Sequence, residues 1–97
     1  MRFDIVLAPE AVDDLKKLKA SIRTQVQAAV ETHLRHEPRK TSRSRIKRLR
    51  GVSRPQFRLR VGDVRVFYDV SNGLVEVLAI VTKSEVPSWL MQFGSPE

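Results

Sequence analysis

The stretch Phe57–Val81 reads FRLRVGDVRVFYDVSNGLVEVLAIV, and its alternation decides the fold. Phe57, Leu59 and Val61 alternate with Arg58 and Arg60, the period of two that marks a strand with one apolar face. Gly62-Asp63 is a two-residue turn signal. Val64, Val66, Tyr68 and Val70 then alternate with Arg65, Phe67 and Asp69. Asn72-Gly73 is a strong hairpin signal, because both residues tolerate positive φ. Val75, Val77, Ala79 and Val81 complete a third strand. The expectation is a three-stranded antiparallel meander with one strongly apolar face.

A tight turn at Gly62-Asp63 fixes the pairing. Val61 then faces Val64, Leu59 faces Val66 and Phe57 faces Tyr68, all on the core side, so Tyr68 is read as a packing residue. On the other side Arg60 lies opposite Arg65, and Arg58 opposite Phe67. Like charges directly opposite are destabilising. Two guanidiniums so placed suggest an anion between them, a phosphate or a partner's carboxylates. Carried through Asn72-Gly73, the same register sets Arg65 beside Ile80 and Phe67 beside Leu78. A plain solvent face does not carry such apolar groups. Either a C-terminal helix covers part of it through Trp89 or Phe93, or a partner does.

The N-terminal half is helical. Arg2–Leu7 reads as a strand, and Ala8-Pro9 opens a helix, since proline suits the first helical position. Glu10, Asp13 and Asp14 early and Lys16, Lys17 and Lys19 late complement the helix dipole. Ala11, Leu15 and Leu18 form its apolar stripe. Ser21 reads as the N-cap of a second helix carrying Ile22, Val26, Val30 and Leu34 and ending before Pro38. Arg39–Arg45 is a basic loop, Ile46–Leu49 a short strand, and Gly51 a turn. Pro87 introduces a short final helix with Trp89, Leu90 and Phe93. Helices and strands segregated along the chain give an α+β domain spanning 1–97, with the helical hairpin on the apolar face of a twisted antiparallel sheet.

The chain has 97 residues, 41% of them apolar and 30% charged, which fits one folded core. It has no cysteine, so disulfides, thiolate zinc sites and a cysteine nucleophile are excluded. The longest apolar run, Val77–Val81, is far too short to cross a bilayer, and Asp4 behind Phe3 leaves no room for a signal-peptide apolar region, so a cytoplasmic location without membrane contact is expected. Eighteen Lys and Arg against eleven Asp and Glu give +7. Arg35–Arg65 holds twelve bases and two acids, a net +10, which leaves −3 for the rest. Arginine dominates there, and its planar fork grips phosphate and stacks on bases. A plain charge run reads as a solvated face; twelve against two reads as a polyanion surface. Lys47, Arg48, Arg50 and Arg54 in this block are candidate RNA-binding residues. His33 and His36 lack partner ligands at metal spacing, and no glycine-rich phosphate loop or nucleophile elbow is present.

The runs KRLRG (Lys47–Gly51), FRLRVGD (Phe57–Asp63) and RVFYD (Arg65–Asp69), with the N-terminal strand and helical hairpin, resemble the RelE/ParE superfamily of toxins from type II toxin–antitoxin systems. The resemblance implies a RelE-like, microbial-ribonuclease-type fold. RelE-like members cut mRNA in the ribosomal A site without metal or cofactor, the 2′-hydroxyl attacking the adjacent phosphate. ParE-like members poison DNA gyrase. Both are neutralised by a small antitoxin, expected here to be acidic, and the pair contacts operator DNA through it. By position Arg58 and Arg60 match the family's paired strand bases and Arg65 its next-strand arginine, all as phosphate clamps. Lys83 matches the basic residue after the last strand. The family's tyrosine or histidine position holds Pro87 instead. That leaves three readings: an mRNA endoribonuclease with Arg58, Arg60, Arg65, Lys83 and Glu85 as proton acceptor, a gyrase inhibitor, or a catalytically weak chain that only binds antitoxin. Trp89 is either a base-stacking residue or, beside Leu90, a packing one.

Overall fold

A computed structural model describes Met1–Glu97. Strand β1 (Asp4–Leu7) leads into helices α1 (Pro9–Lys17) and α2 (Ala20–Leu34). Strands β2 (Ile46–Arg48), β3 (Val52–Arg54), β4 (Phe57–Val61), β5 (Val64–Ser71) and β6 (Leu74–Thr82) follow, then a 3₁₀ turn (Lys83–Glu85), helix α3 (Val86–Phe93) and β7 (Ser95–Pro96). The main sheet runs β1-β6-β5-β4-β2. It is antiparallel except that β1 lies parallel to β6. After β1 the helical hairpin carries the chain across the sheet to β2 at the opposite edge, and the meander β4-β5-β6 returns to place β6 parallel beside β1. No helix is long and apolar enough to cross a membrane.

The Gly62-Asp63 turn sets the expected β4–β5 register, with Phe57–Tyr68, Arg58–Phe67, Leu59–Val66 and Arg60–Arg65 as direct partners. Gly62 takes a φ of 58°, the left-handed region the turn needs. The β5–β6 register holds only near the Asn72-Gly73 turn and shifts by one residue between Phe67 and Tyr68. Tyr68 pairs with Val77 but Phe67 with Ala79, so Leu78 is an extra residue, a β-bulge. Arg65 therefore lies beside Val81 rather than Ile80, and Phe67 beside Ala79 rather than Leu78. The one-residue slip turns Ile80 toward the hairpin and Ala79 and Val81 to the other face. Asp14 supports this bulge: its Oδ2 accepts the Ile80 N–H at 2.9 Å. Its acidity alone had marked it only as a dipole-friendly surface charge.

The hairpin covers one face. Ala11, Val26, Val30 and Leu34 from the helices pack with Phe57, Leu59, Val66, Tyr68, Val75, Val77 and Ile80 from the sheet. Tyr68 is fully buried and donates its hydroxyl to the Pro38 carbonyl at 2.7 Å, and burial raises its pKa above the ordinary value. Helix α1 starts at Pro9 as expected, tied to β6 by the Ala8 N–H on the Val77 carbonyl at 2.8 Å. Helix α2 is capped by Lys19, not Ser21. Leu18 and Lys19 are both extended, and this two-residue link places Ser21 already inside the first turn. Strand β1 begins at Asp4 rather than Arg2, since the Phe3 N–H goes to the Arg35 carbonyl at 2.7 Å instead of to the sheet. Strand β2 ends at Arg48, although the Leu49 N–H continues the contact to the Gln56 carbonyl at 2.9 Å.

The opposite face carries a smaller apolar cluster: Phe67, Ala79 and Val81, covered by Leu49, Val86, Trp89 and Leu90. Trp89 lies flat on Phe67, with centroids 4.9 Å apart and planes 7° apart. Thus α3 takes up the apolar part of the outer face, while of the arginines beside it Arg60 is exposed, Arg58 half-buried and Arg65 buried. Strands β3 and β7 form a separate two-stranded ribbon, which the sequence pattern did not mark.

Candidate functional site

The outer face of β2, β4 and β5 gathers the basic residues. Direct partners on an antiparallel ladder project to the same side. Lys47 is opposite Arg58, and Arg60 opposite Arg65. Lys47 and Arg60 are exposed, Arg58 is half-buried, and Arg65 is only 7% exposed.

Each arginine is held differently. Arg65 donates from Nη1 to the Gly62 carbonyl at 2.8 Å and the Val64 carbonyl at 3.2 Å, which anchors it at the Gly62-Asp63 turn. Arg58 donates from Nη2 to the Ser44 carbonyl at 3.2 Å, while its Nε is buried without a partner. Burial holds the Arg58 guanidinium below its ordinary pKa, and the charges of Arg65 and Arg60 add to the effect. The structure's salt bridges join Arg35 to Glu31, Lys40 to Glu37, and Arg54 to Asp69 and Glu76. Arg58, Arg60 and Arg65 have no carboxylate. Their mutual repulsion is uncompensated, which favours an incoming anion.

Lys83 reaches the same end of the sheet. Its N–H donates to the Asp63 carbonyl at 2.8 Å, so the first residue of the 3₁₀ turn abuts the turn that Arg65 braces. Glu85 sits in a capping box: its Oε1 accepts the Thr82 N–H at 2.9 Å and the Thr82 hydroxyl at 2.7 Å. The Thr82 donors hold its carboxyl below the usual carboxylate range.

The structure thus brings Lys47, Arg58, Arg60, Arg65 and the Lys83 backbone to one end of one surface. The other basic candidates sit elsewhere. Arg48 alternates to the other face and lies over the Phe57 ring at 5.2 Å. Arg54 is ion-paired with Asp69 at 3.6 Å and Glu76 at 3.3 Å. Arg50 is exposed beyond the end of β2. Pro87 occupies the first turn of α3. The Ser44 carbonyl that steadies Arg58 had no sequence signal, because any residue supplies a backbone oxygen.

Fold and site define a class: a small α+β protein whose sheet gathers arginines without carboxylate partners on the face away from the helical hairpin. More narrowly, the chain belongs to the family described as the ParE toxin of type II toxin–antitoxin systems, parDE, whose model matches residues 5–87. No curated protein matches the sequence. Among solved structures, a mutant of the Escherichia coli toxin RelE in the free state is similar at 23% identity and a TM-score of 0.71, covering 95% of this chain and 97% of that one. The archaeal RelE–RelB complex from Pyrococcus horikoshii OT3 is similar at 21% identity and a TM-score of 0.70, covering 86% and 97%. The toxin–antitoxin complex RelBE2 from Mycobacterium tuberculosis is similar at 24% identity and a TM-score of 0.69, covering 84% and 92%. At these identities the likeness shows the fold.

Proposed function

We propose that this toxin is a ribosome-dependent mRNA endoribonuclease that grips RNA phosphates with Arg58, Arg60 and Arg65, assisted by Lys83 and Lys47. The observation that carries the reading is the arginine cluster without a carboxylate. Arg58 is already partly desolvated and repelled by Arg60 and Arg65. An RNA phosphate placed among them relieves that repulsion, and a dianionic phosphorane relieves it further. Stabilisation that grows with charge in the transition state is what accelerates a reaction. Arginine stays protonated, so the cluster holds charge and does not accept the 2′-hydroxyl proton. The attacking oxygen comes from the substrate, and the proton goes to another group at the ribosomal site.

A cognate antitoxin is the second partner. The same +10 block suits an acidic segment that folds on binding, and the pair contacts operator DNA through the antitoxin. The related RelE structures from Pyrococcus horikoshii and Mycobacterium tuberculosis are themselves complexes with antitoxins. Lys47 and, beyond the end of β2, Arg50 extend the basic surface for RNA, whereas Arg48 lies on the other face and Arg54 contributes less because two carboxylates offset its charge.

One observation favours a second reading, gyrase inhibition without chemistry. Glu85 is engaged by Thr82 and Pro87 stands at the tyrosine position, so neither of these two positions supplies a free proton acceptor. Primer extension on mRNA after induction, beside a supercoiling assay, separates the two. Cuts on translated mRNA support the nuclease. Intact mRNA with inhibited supercoiling supports the gyrase reading.

A further inference from the structure

Strand β6 ends where Glu85 reaches back to it. The Thr82 N–H, which would otherwise continue as a strand donor, is given to the Glu85 carboxylate, and the Thr82 hydroxyl joins the same oxygen. The Ser84 hydroxyl lies 3.3 Å from that of Thr82, and the Ser88 hydroxyl donates to the Glu85 carbonyl at 3.1 Å. The box closes around Lys83, the first residue of the turn, whose own N–H is fixed on the Asp63 carbonyl. Residues on both sides of Lys83 are therefore tied down, and the lysine leaves the chain from a backbone with little freedom.

We propose that Glu85 is a positioning residue: through Thr82 it holds the Lys83 backbone against the Gly62-Asp63 turn, so that the lysine meets phosphate beside Arg65. The proposal rests on the reading of the outer face as an RNA-phosphate site, and it removes Glu85 from the role of proton acceptor. A carboxylate that already accepts two hydrogen bonds on one oxygen, and whose proton affinity those bonds reduce, is poorly matched to a base working near neutrality. A capping box, by contrast, needs only an acceptor oxygen, and glutamine supplies one as well as glutamate.

That difference gives the test. E85Q and E85A remove the same charge, but only E85Q keeps the acceptor. The probe is a single-stranded RNA oligonucleotide with 2′-O-methyl riboses, which cannot be cut. Each phosphate contact contributes about 0.7 to the slope of log affinity against log salt for single strands. The expected result is that K83A and E85A each lower the slope by about that amount, that E85Q retains it, and that K83A/E85A is no worse than K83A. Thr82→Ser should behave like E85Q and Thr82→Val like E85A, with melting temperatures confirming that each variant folds. Equal slopes for E85A and E85Q, or additive losses in the double variant, would overturn the proposal. In the ribosomal cleavage assay E85Q should keep more than half the rate while E85A loses about tenfold. A collapse of E85Q to the E85A level would return Glu85 to the proton-acceptor role. If wild-type protein binds the probe with a Lys83-dependent slope yet leaves mRNA intact, the nuclease reading falls and the positioning role stands. If Lys83 makes no contribution to the slope, the positioning role itself falls.

Discussion

Arg60 and Arg65 stand directly opposite each other on β4 and β5, and neither is paired with a carboxylate. A cross-strand arginine pair costs stability unless something anionic lies over it. The two also differ in anchorage. Arg60 is exposed, and its guanidinium makes no hydrogen bond, although its backbone N–H donates to the Arg45 carbonyl at 2.8 Å. Arg65 is buried against the turn carbonyls. An exposed, unpartnered guanidinium beside an anchored one suits a ligand that must first be captured and then oriented.

The arginines should separate by stability as well as by binding. R58A and R60A are expected to lower the salt slope of RNA binding by about 0.7 each while the fold persists. R65A should lower the slope similarly but also destabilise by about 1 kcal/mol, because two carbonyl contacts at the turn are lost. Thermal melts beside salt titrations of binding check both.

Trp89 is a packing residue through its stack on Phe67. W89A should cost about 2–4 kcal/mol, since it opens the small cluster between the sheet and α3. W89F should recover most of that stability. RNA affinity of W89L measured at equal salt should match wild type; a tenfold loss in that variant, with W89F unaffected, would instead indicate base stacking.

The bulge at Leu78 depends on Asp14. Asp14→Ala should leave the Ile80 N–H without its partner and destabilise by about 1–3 kcal/mol. Hydrogen exchange at the Ile80 amide is the direct readout, with markedly faster exchange in the variant.

Tyr68 predicts an alkaline weakness. Burial raises its folded pKa above the ordinary value of 10.0, so the unfolded chain ionises first. Its contribution is fully present below pH 10 and is lost as pH rises above it, because there the unfolded state binds fewer protons. Denaturant titrations between pH 9 and 11, about the range where a free tyrosine ionises, should show stability falling. Y68F should be less stable at neutral pH by about 1–3 kcal/mol, since the Pro38 carbonyl loses its donor, but flatter with pH.

Much of this architecture was legible in the residues. The Phe57–Val70 alternation with Gly62-Asp63 determined the β4–β5 register, and hence the arginine pairings, because a two-residue turn leaves no freedom of alignment. The Leu78 bulge was not legible, since Val77–Val81 is apolar throughout and either face could hold each residue. Its stabilising contact comes from Asp14, sixty-six residues away from Ile80. The Ser21 cap was misplaced because serine is favoured at caps but not required there, and the short link between helices overrode the preference. At the site, the strand arginines followed from alternation. The capping role of Glu85 needed the turn geometry, and the ion pairs of Arg54 needed the β3 ribbon beside Glu76.

The central claim is that the arginine cluster serves RNA cleavage on the ribosome, and primer extension on a translated mRNA after induction tests it most directly. The account predicts cuts within codons that appear with the wild-type chain, disappear with R65A and weaken with K83A. Intact mRNA in induced cells whose supercoiling activity is inhibited would contradict it.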